Sequence, residues 1–271
     1  MRPYYFVSGL PRAGSTLLCN ILAQNPRFYA THTSGLMDML YGHRNRWGEL
    51  IEHRAAACEA DSQKAMKATM QAIMATYWPD AKPEQVVFDK GRGWLPYIEI
   101  IKELTGEDPK ILVPVRDIRD VLASFEKLWR ATIPERQIAL EREMYFQWQT
   151  VQGRALGWCR DDQPVGLAIN RIRDAVARGY KACLHFVEFE ELTFEPDACM
   201  QKIYAFLGEE PYEHDFNNVE QVTSENDQVH GLGPDLHKIQ NIVKGKRSTY
   251  AAVLGKVAEQ FAGDAKFWQD L

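Results

Sequence analysis

No stretch of the chain approaches the roughly 20 consecutive apolar residues that a membrane-spanning helix needs, so no membrane span is expected. No long basic run appears, and the formal net charge is −5. That balance argues against nucleic acid as the main partner and leaves room for a local basic site that binds a small anion. Cysteine is scarce and scattered. Cys19, Cys58, Cys159, Cys183 and Cys199 are odd in number, far apart and without C-x-x-C spacing. This argues against a disulfide framework or a zinc site and for a reducing cytoplasm. Cys19 and Cys183 fall within apolar patterns and read as small buried side chains. No leader peptide is expected, because the N-terminus enters a short apolar strand almost at once.

What is present is an ordinary globular composition: 271 residues, 45% apolar and 25% charged. That length can bury a full core as one large domain. Tyr4 to Val7, Val86 to Phe88, Lys110 to Val115 and Ala182 to Phe189 read as four buried strands. Helical spacing fills the intervals: from Leu17, from Gly35 to about Ala60, 62–78, through Tyr97 to Leu104, about Ile118 to Trp129, Glu135 to Trp158, Pro164 to Arg178, and Pro196 to Leu207. Residues 27–34 read as a loop, Val219 to Arg247 as a polar tail without periodicity, and Tyr250 to Trp268 as a final helix. The aromatic residues Tyr145, Phe146, Trp148 and Trp158 read as core. Strands alternating with helices predict an α/β fold, a P-loop-like parallel sheet flanked by helices. The expectation is a single domain over 1–271 with a helical insertion at about 35–78 that serves as lid or acceptor wall.

The chain is organised around Phe6 to Leu18. A strand turns through Gly9, Pro11 and Gly14 and enters a helix at Ser15-Thr16, which makes a phosphate cradle of the first-turn N–H groups. Gly9 and Gly14 enclose four residues, as in G-x-x-x-x-G-K-[ST], yet Ser15 stands in the lysine's place and the basic group is Arg12. Without that lysine the loop suits less phosphate charge than a nucleoside triphosphate carries. An ordinary strand-turn-helix corner is the alternative for this stretch alone. Against it, two other strands end in Asp89-Lys90 and Arg116-Asp117, and ligands of such sheets bind beyond the C-terminal strand ends.

Gly9-Leu10-Pro11-Arg12-Ala13-Gly14-Ser15-Thr16-Leu17 resembles the 5′-phosphosulfate loop of sulfotransferases that use 3′-phosphoadenosine 5′-phosphosulfate. The form is that of tyrosylprotein sulfotransferases and their bacterial relatives. Arg116 to Phe125, with Ser124 eight residues after Arg116, is similar to the family's 3′-phosphate motif. Val187-Glu188-Phe189-Glu190-Glu191-Leu192, followed by Pro196 and Phe206-Leu207-Gly208, is similar to its late strand and helix. The three pieces stand in family order over about residues 5 to 208.

The resemblance implies that Arg12, Ala13, Gly14, Ser15, Thr16 and Leu17 hold the phosphosulfate. It implies that Arg116 and Ser124 bind the 3′-phosphate, that Phe189 stacks near the adenine, and that Lys90 stabilises the leaving phosphate and the sulfuryl group without a metal. Lys244-Gly245-Lys246-Arg247 is similar to the basic segment that closes over the 3′-phosphate. The family's glutamate base falls at Thr33 here. His32 is then the candidate base, because imidazole titrates near neutral pH, with Asp38 one helical turn on. The histidine that cytosolic sulfotransferases carry after the lysine strand has no counterpart among Gly91, Arg92, Gly93 and Trp94.

Taken as residues alone, each position keeps a second reading. Arg116 can pair with Asp117 or Asp120, and Arg119 reads as a solvated face residue. Lys90 can be an exposed strand-end lysine, His32 an exposed loop histidine, and the 244–247 segment a solvated basic turn. A P-loop kinase and a nucleotide-binding protein without catalysis are the rival functions. The acceptor carries no diagnostic motif.

Overall fold

The structure, a computed structural model, describes residues 2–56, 58–132, 145–230 and 236–271. Five parallel strands form one sheet in the order β2-β3-β1-β4-β5: β1 Tyr4–Val7, β2 Phe28–Thr33, β3 Val86–Lys90, β4 Ile111–Val115 and β5 Leu184–Glu188. β3 and β4 are buried along their whole length, as strands covered on both faces must be.

The two-residue period of the strands divides the core. Tyr4, Phe6, Val87, Ile111, Val113 and Val115 face one apolar layer. That layer is completed by α4 (Glu59–Thr76), α5 (Ile98–Thr105), α6 (Ile118–Thr132), α8 (Val151–Trp158) and α9 (Pro164–Ala177). Val7, Val86, Phe88, Leu112 and Val187 face the other, with α1 (Ser15–Leu22), α10 (Phe189–Phe194) and α11 (Pro196–Leu207). Each fully buried Leu, Ile or Phe in these layers contributes about 1.5–3 kcal/mol. Cys19 and Cys183 are buried, as expected.

Four sequence expectations need correction. Residues 27–34 are an edge strand rather than a loop, since β2 pairs with β3 from Phe28↔Val86 to Thr33↔Lys90. Phe189 does not end a strand; it opens α10. The helical block 35–78 is present as three separate helices rather than two, α2 (Leu36–Glu49), α3 (Ile51–Arg54) and α4. The final helix is only Tyr250–Leu254 (α12), followed by 3-10 turns. Part of the expected Glu135–Trp158 helix lies outside the described residues; from 145 onward it is α7 (Tyr145–Trp148) and α8. Trp148 and Trp158 are core, as read. Among the described residues no helix is long and apolar enough to cross a membrane.

The chain leaves β1 for β2 on one side of the sheet and reaches β4 and β5 on the other. The C-terminal ends of β1 and β4 therefore flank the place where strand order reverses, which is the crevice such folds offer to ligands.

Candidate functional site

The chain leaves β1 still hydrogen-bonded to β4. Ser8 N donates to Leu112 O at 2.9 Å and Leu10 N to Pro114 O at 2.8 Å. This ladder lays the loop beside the end of β4. Arg12 then takes a left-handed φ of 59°, which costs a side-chain-bearing residue roughly 1–2 kcal/mol. Gly14 caps α1 at φ 83°, with no side chain capping the helix. A Cβ on Gly14 would also lie 2.7 Å from the Phe189 ring, so glycine is needed twice over. The first-turn N–H groups of α1 have no intrahelical partner and carry the positive end of the helix dipole.

Strand alternation decides where the 89–90 pair goes. Asp89 turns into the layer beneath α5, where its two oxygens accept from the indoles of Trp78 (2.8 Å) and Trp94 (2.9 Å). Burial still pushes its carboxyl up to about 6. Lys90 turns the other way, toward the start of α1. Its Nζ lies 3.3 Å from Thr16 Oγ1 and 2.7 Å from Glu225 Oε1, and both partners of the ion pair are only 6% exposed. The exposed strand-end reading of Lys90 is therefore wrong.

Glu225 comes from the polar tail. The same oxygen accepts from Thr33 N (2.9 Å) and Thr33 Oγ1 (2.8 Å). Burial opposes the charge on this carboxyl, but Lys90 and the Thr33 donors outweigh it and hold it at about 2. Thr33 thus binds a glutamate from 192 residues further along the chain.

Arg116 ends the β4 side of the crevice, and Ser124 sits two turns into α6. Arg12 Nε donates to Ser124 Oγ at 3.1 Å, and Arg116 Nη1 lies 3.4 Å from Arg12 O. Asp117 and Asp120 are spent elsewhere. Asp117 takes a two-point grip from Arg119 (2.9 and 2.6 Å), and Asp120 accepts from Thr249 N. Arg119, also stacked on Tyr250 at 4.2 Å, is not a solvated residue. The carboxylate in ion-pair range of Arg116 is Glu190, at 3.9 Å. Arg116 Nε is buried without a hydrogen-bond partner among the described residues. Glu190 Oε1, at 3.9 Å, is too far for a hydrogen bond, so that donor stays electrostatically rather than directly compensated. Burial and the neighbouring Arg116 charge both lower the pKa of Arg12, as two guanidiniums sharing one anion site would.

Phe189 does not offer a face to a base. Its ring is wedged between Gly14 and the Arg116 guanidinium, 4.3 Å away, and is 9% exposed. It supports the loop and Arg116. His32 is not brought to the crevice. Along β2, Thr31 and Thr33 point inward and His32 outward, exposed, with Nδ1 2.8 Å from Thr33 O and its ring against Trp78.

These groups line one cavity of about 700 Å³. Arg12, Gly14, Ser15, Thr16 and Leu17 form its floor with Lys90, Arg116, Ser124 and Phe189; Ala13 is buried behind the loop. Lys244, Lys246 and Arg247 close it from the tail. Nine lysines and arginines but only Asp120 among acids line it, counted over the described residues. In a chain of net charge −5, that is a marked local reversal of sign. Sequence reasoning missed Glu225, Asp227 and His237. The signal available was scattered acids and two histidines, His230 and His237, in a tail without periodicity.

The sequence pattern of the Sulfotransferase family matches residues 3–214. The nodulation protein NoeE of Sinorhizobium fredii is 28% identical over 231 residues, which is 80% of this chain and 52% of that protein. The chain thus spans about half the length of this curated relative. The sulfotransferase domain of the Synechococcus PCC 7002 olefin synthase superposes with a TM-score of 0.52 at 19% identity, covering 96% of this chain and 95% of that one. A sulfotransferase from Alicyclobacillus acidocaldarius gives 0.51 at 17% identity, covering 87% and 88%. At these identities the two structures speak for the fold alone. The family match runs through β1, the glycine loop, Lys90, Arg116 and β5, and the chain belongs to the sulfotransferase family.

Proposed function

We propose that the chain transfers a sulfuryl group from 3′-phosphoadenosine 5′-phosphosulfate to a hydroxyl or amine of an acceptor. One observation carries this reading: the cradle at α1, Lys90 and Arg116 all line one cationic cavity. The first turn of α1 and Arg12 hold the 5′-phosphosulfate. Arg116 and Ser124 take the 3′-phosphate, and Lys244 and Lys246 cover it from the tail. Lys90 faces the charge that builds on the bridging and sulfuryl oxygens.

Lys90, Arg12 and the helix terminus together supply the positive charge that magnesium supplies in phosphoryl transfer; the reading is of a metal-independent reaction. The whole chain, 1–271, acts as one domain, with α2 to α4 as the wall on the acceptor side. Dispersed free thiols, Cys58 among them exposed, suit a reducing cytoplasm.

A P-loop kinase is not favoured, because Ser15 replaces the loop lysine and the family match is to sulfotransferases. A binding protein without catalysis drew its support from the missing glutamate at Thr33; Glu225 now brings a carboxylate onto that threonine. Incubation with sulfur-labelled donor and a panel of phenols, sugars and amines tests the proposal. Label is expected on an acceptor or, more slowly, as free sulfate. Intact donor after prolonged incubation with protein that binds the product nucleotide would favour the binding protein.

A further inference from the structure

The tail that brings Glu225 also brings a histidine to the cavity. His237 lines it, and its side chain is 21% exposed. Its Nδ1 lies 2.5 Å from Asp227 Oδ1, and its main-chain N–H donates to Asp227 Oδ2 at 3.0 Å. Asp227 thus grips both ends of the residue. A carboxylate only accepts, so Nδ1 carries the hydrogen and the ring's lone pair is on Nε2. Glu225 Oε2 is 3.5 Å from the same Nδ1, while its other oxygen holds Lys90. His237 therefore stands one carboxylate away from the lysine proposed to face the sulfuryl group.

The backbone around His237 is braced from three sides. Arg12 Nη1 donates to Leu236 O at 2.6 Å, Gln221 Nε2 to His237 O at 3.1 Å, and Ile239 N to Gln221 Oε1 at 3.1 Å. Through Arg12 the phosphate loop and the histidine are held in one register, which is the preorganisation that proton transfer at a reacting centre needs.

We infer that His237, oriented by Asp227 and Glu225, is the general base that takes the acceptor's proton. The inference rests on the sulfuryl-transfer reading above. In the step, the acceptor oxygen bonds to sulfur while the bond from sulfur to the bridging phosphate oxygen breaks. The electron pair of that bond stays on the phosphate, facing Lys90 and Arg12. The acceptor's O–H proton goes to Nε2, and the imidazolium so formed lies against Asp227 and Glu225. Balance needs only donor and acceptor.

Glu225 itself is the poorer base. Its Oε1 is shared by Lys90 and Thr33, its side chain is 6% exposed and it does not line the cavity. A carboxyl held at about 2 also accepts a hydroxyl proton weakly. Its place is to position Lys90 and the imidazole. His32, on the outer side of β2, is out of reach.

The test compares wild type with His237→Gln and His237→Ala, using adenosine 3′,5′-bisphosphate for binding and labelled donor with water or simple phenols as acceptor for turnover. Nucleotide affinity is expected to stay within about twofold in both variants, since neither removes a phosphate contact. Turnover is expected to fall roughly 10²–10⁴-fold, the usual worth of a general base. Added free imidazole is expected to restore part of the turnover of His237→Ala and none of His237→Gln, which a purely structural role would not produce. Unchanged turnover in the variants overturns the assignment, and so does a rate loss that imidazole leaves untouched. A wild type that binds the nucleotide and never consumes donor overturns it as well. Failure of the wild type to bind the nucleotide is a separate result, which strikes the sulfuryl-transfer reading itself.

Discussion

Lys90 shows how one residue's place depends on a neighbour's. In β3, Asp89 and Lys90 are adjacent charges, and the strand's two-residue period sends one into the core and the other to the crevice. Lys90 and Glu225 are both buried, so removing one leaves the other uncompensated. Lys90→Met is expected to destabilise the fold by about 3–5 kcal/mol in denaturant unfolding. Lys90→Met with Glu225→Gln should regain much of that, while sulfuryl transfer stays roughly 10²–10³-fold down in both. The Glu225 carboxyl, depressed from 4.5 to about 2, stabilises the folded chain above its unfolded value. That stability is lost as pH falls from about 4.5 through about 2. Acid unfolding of Glu225→Gln, followed by circular dichroism, should therefore be less steep in this window; an identical slope would remove the pair from the account. Arg116→Ala should weaken nucleotide binding by roughly 1.5–3 kcal/mol for each charged hydrogen bond it removes, read as a 10- to 150-fold rise in Kd.

At the scale of elements, the glycine loop and the tail do complementary work. Gly14 joins β1 to α1 with a left-handed φ and the Phe189 ring against its Cα. Gly14→Ala should lower both thermal stability and nucleotide affinity, whereas Gly179→Ala, at another positive φ but with nothing within 4 Å, should lower stability alone. In the tail, a Cβ on Gly245 would come within 2.1 Å of the Phe194 ring. Gly245→Ala is therefore expected to push Lys244 and Lys246 off the cavity. Nucleotide affinity should fall with little change in melting temperature, and unchanged affinity would take the tail lysines out of the site.

Legibility followed the same division. β1, β3, β4 and the helices between them were readable because their apolar spacing is dictated by burial. β2 was not, since Phe28 to Thr33 is an edge strand with a polar end, and polar residues there read as loop. The tail was not either: Glu225, Asp227 and His237 acquire a role only through contacts with Lys90 and Thr33, far away in sequence. The glycine-loop corner was visible because its strand end, two glycines and helix start are all local in sequence.

Over the whole molecule, the notable feature is an acidic chain that gathers nine cationic side chains, counted among the described residues, around one cavity. Like charges so close repel, and an anion that binds there relieves them. Ligand should therefore stabilise the fold, by about 2.7 kcal/mol at a hundred times Kd, a rise in melting temperature of several degrees for a chain this long. The effect should shrink as salt is raised. The most direct measurement is a calorimetric titration of the wild-type chain with adenosine 3′,5′-bisphosphate. One site with a micromolar Kd, without added metal, is the expected result. No heat and no melting shift at millimolar nucleotide would contradict the assignment of this cavity to the sulfuryl donor.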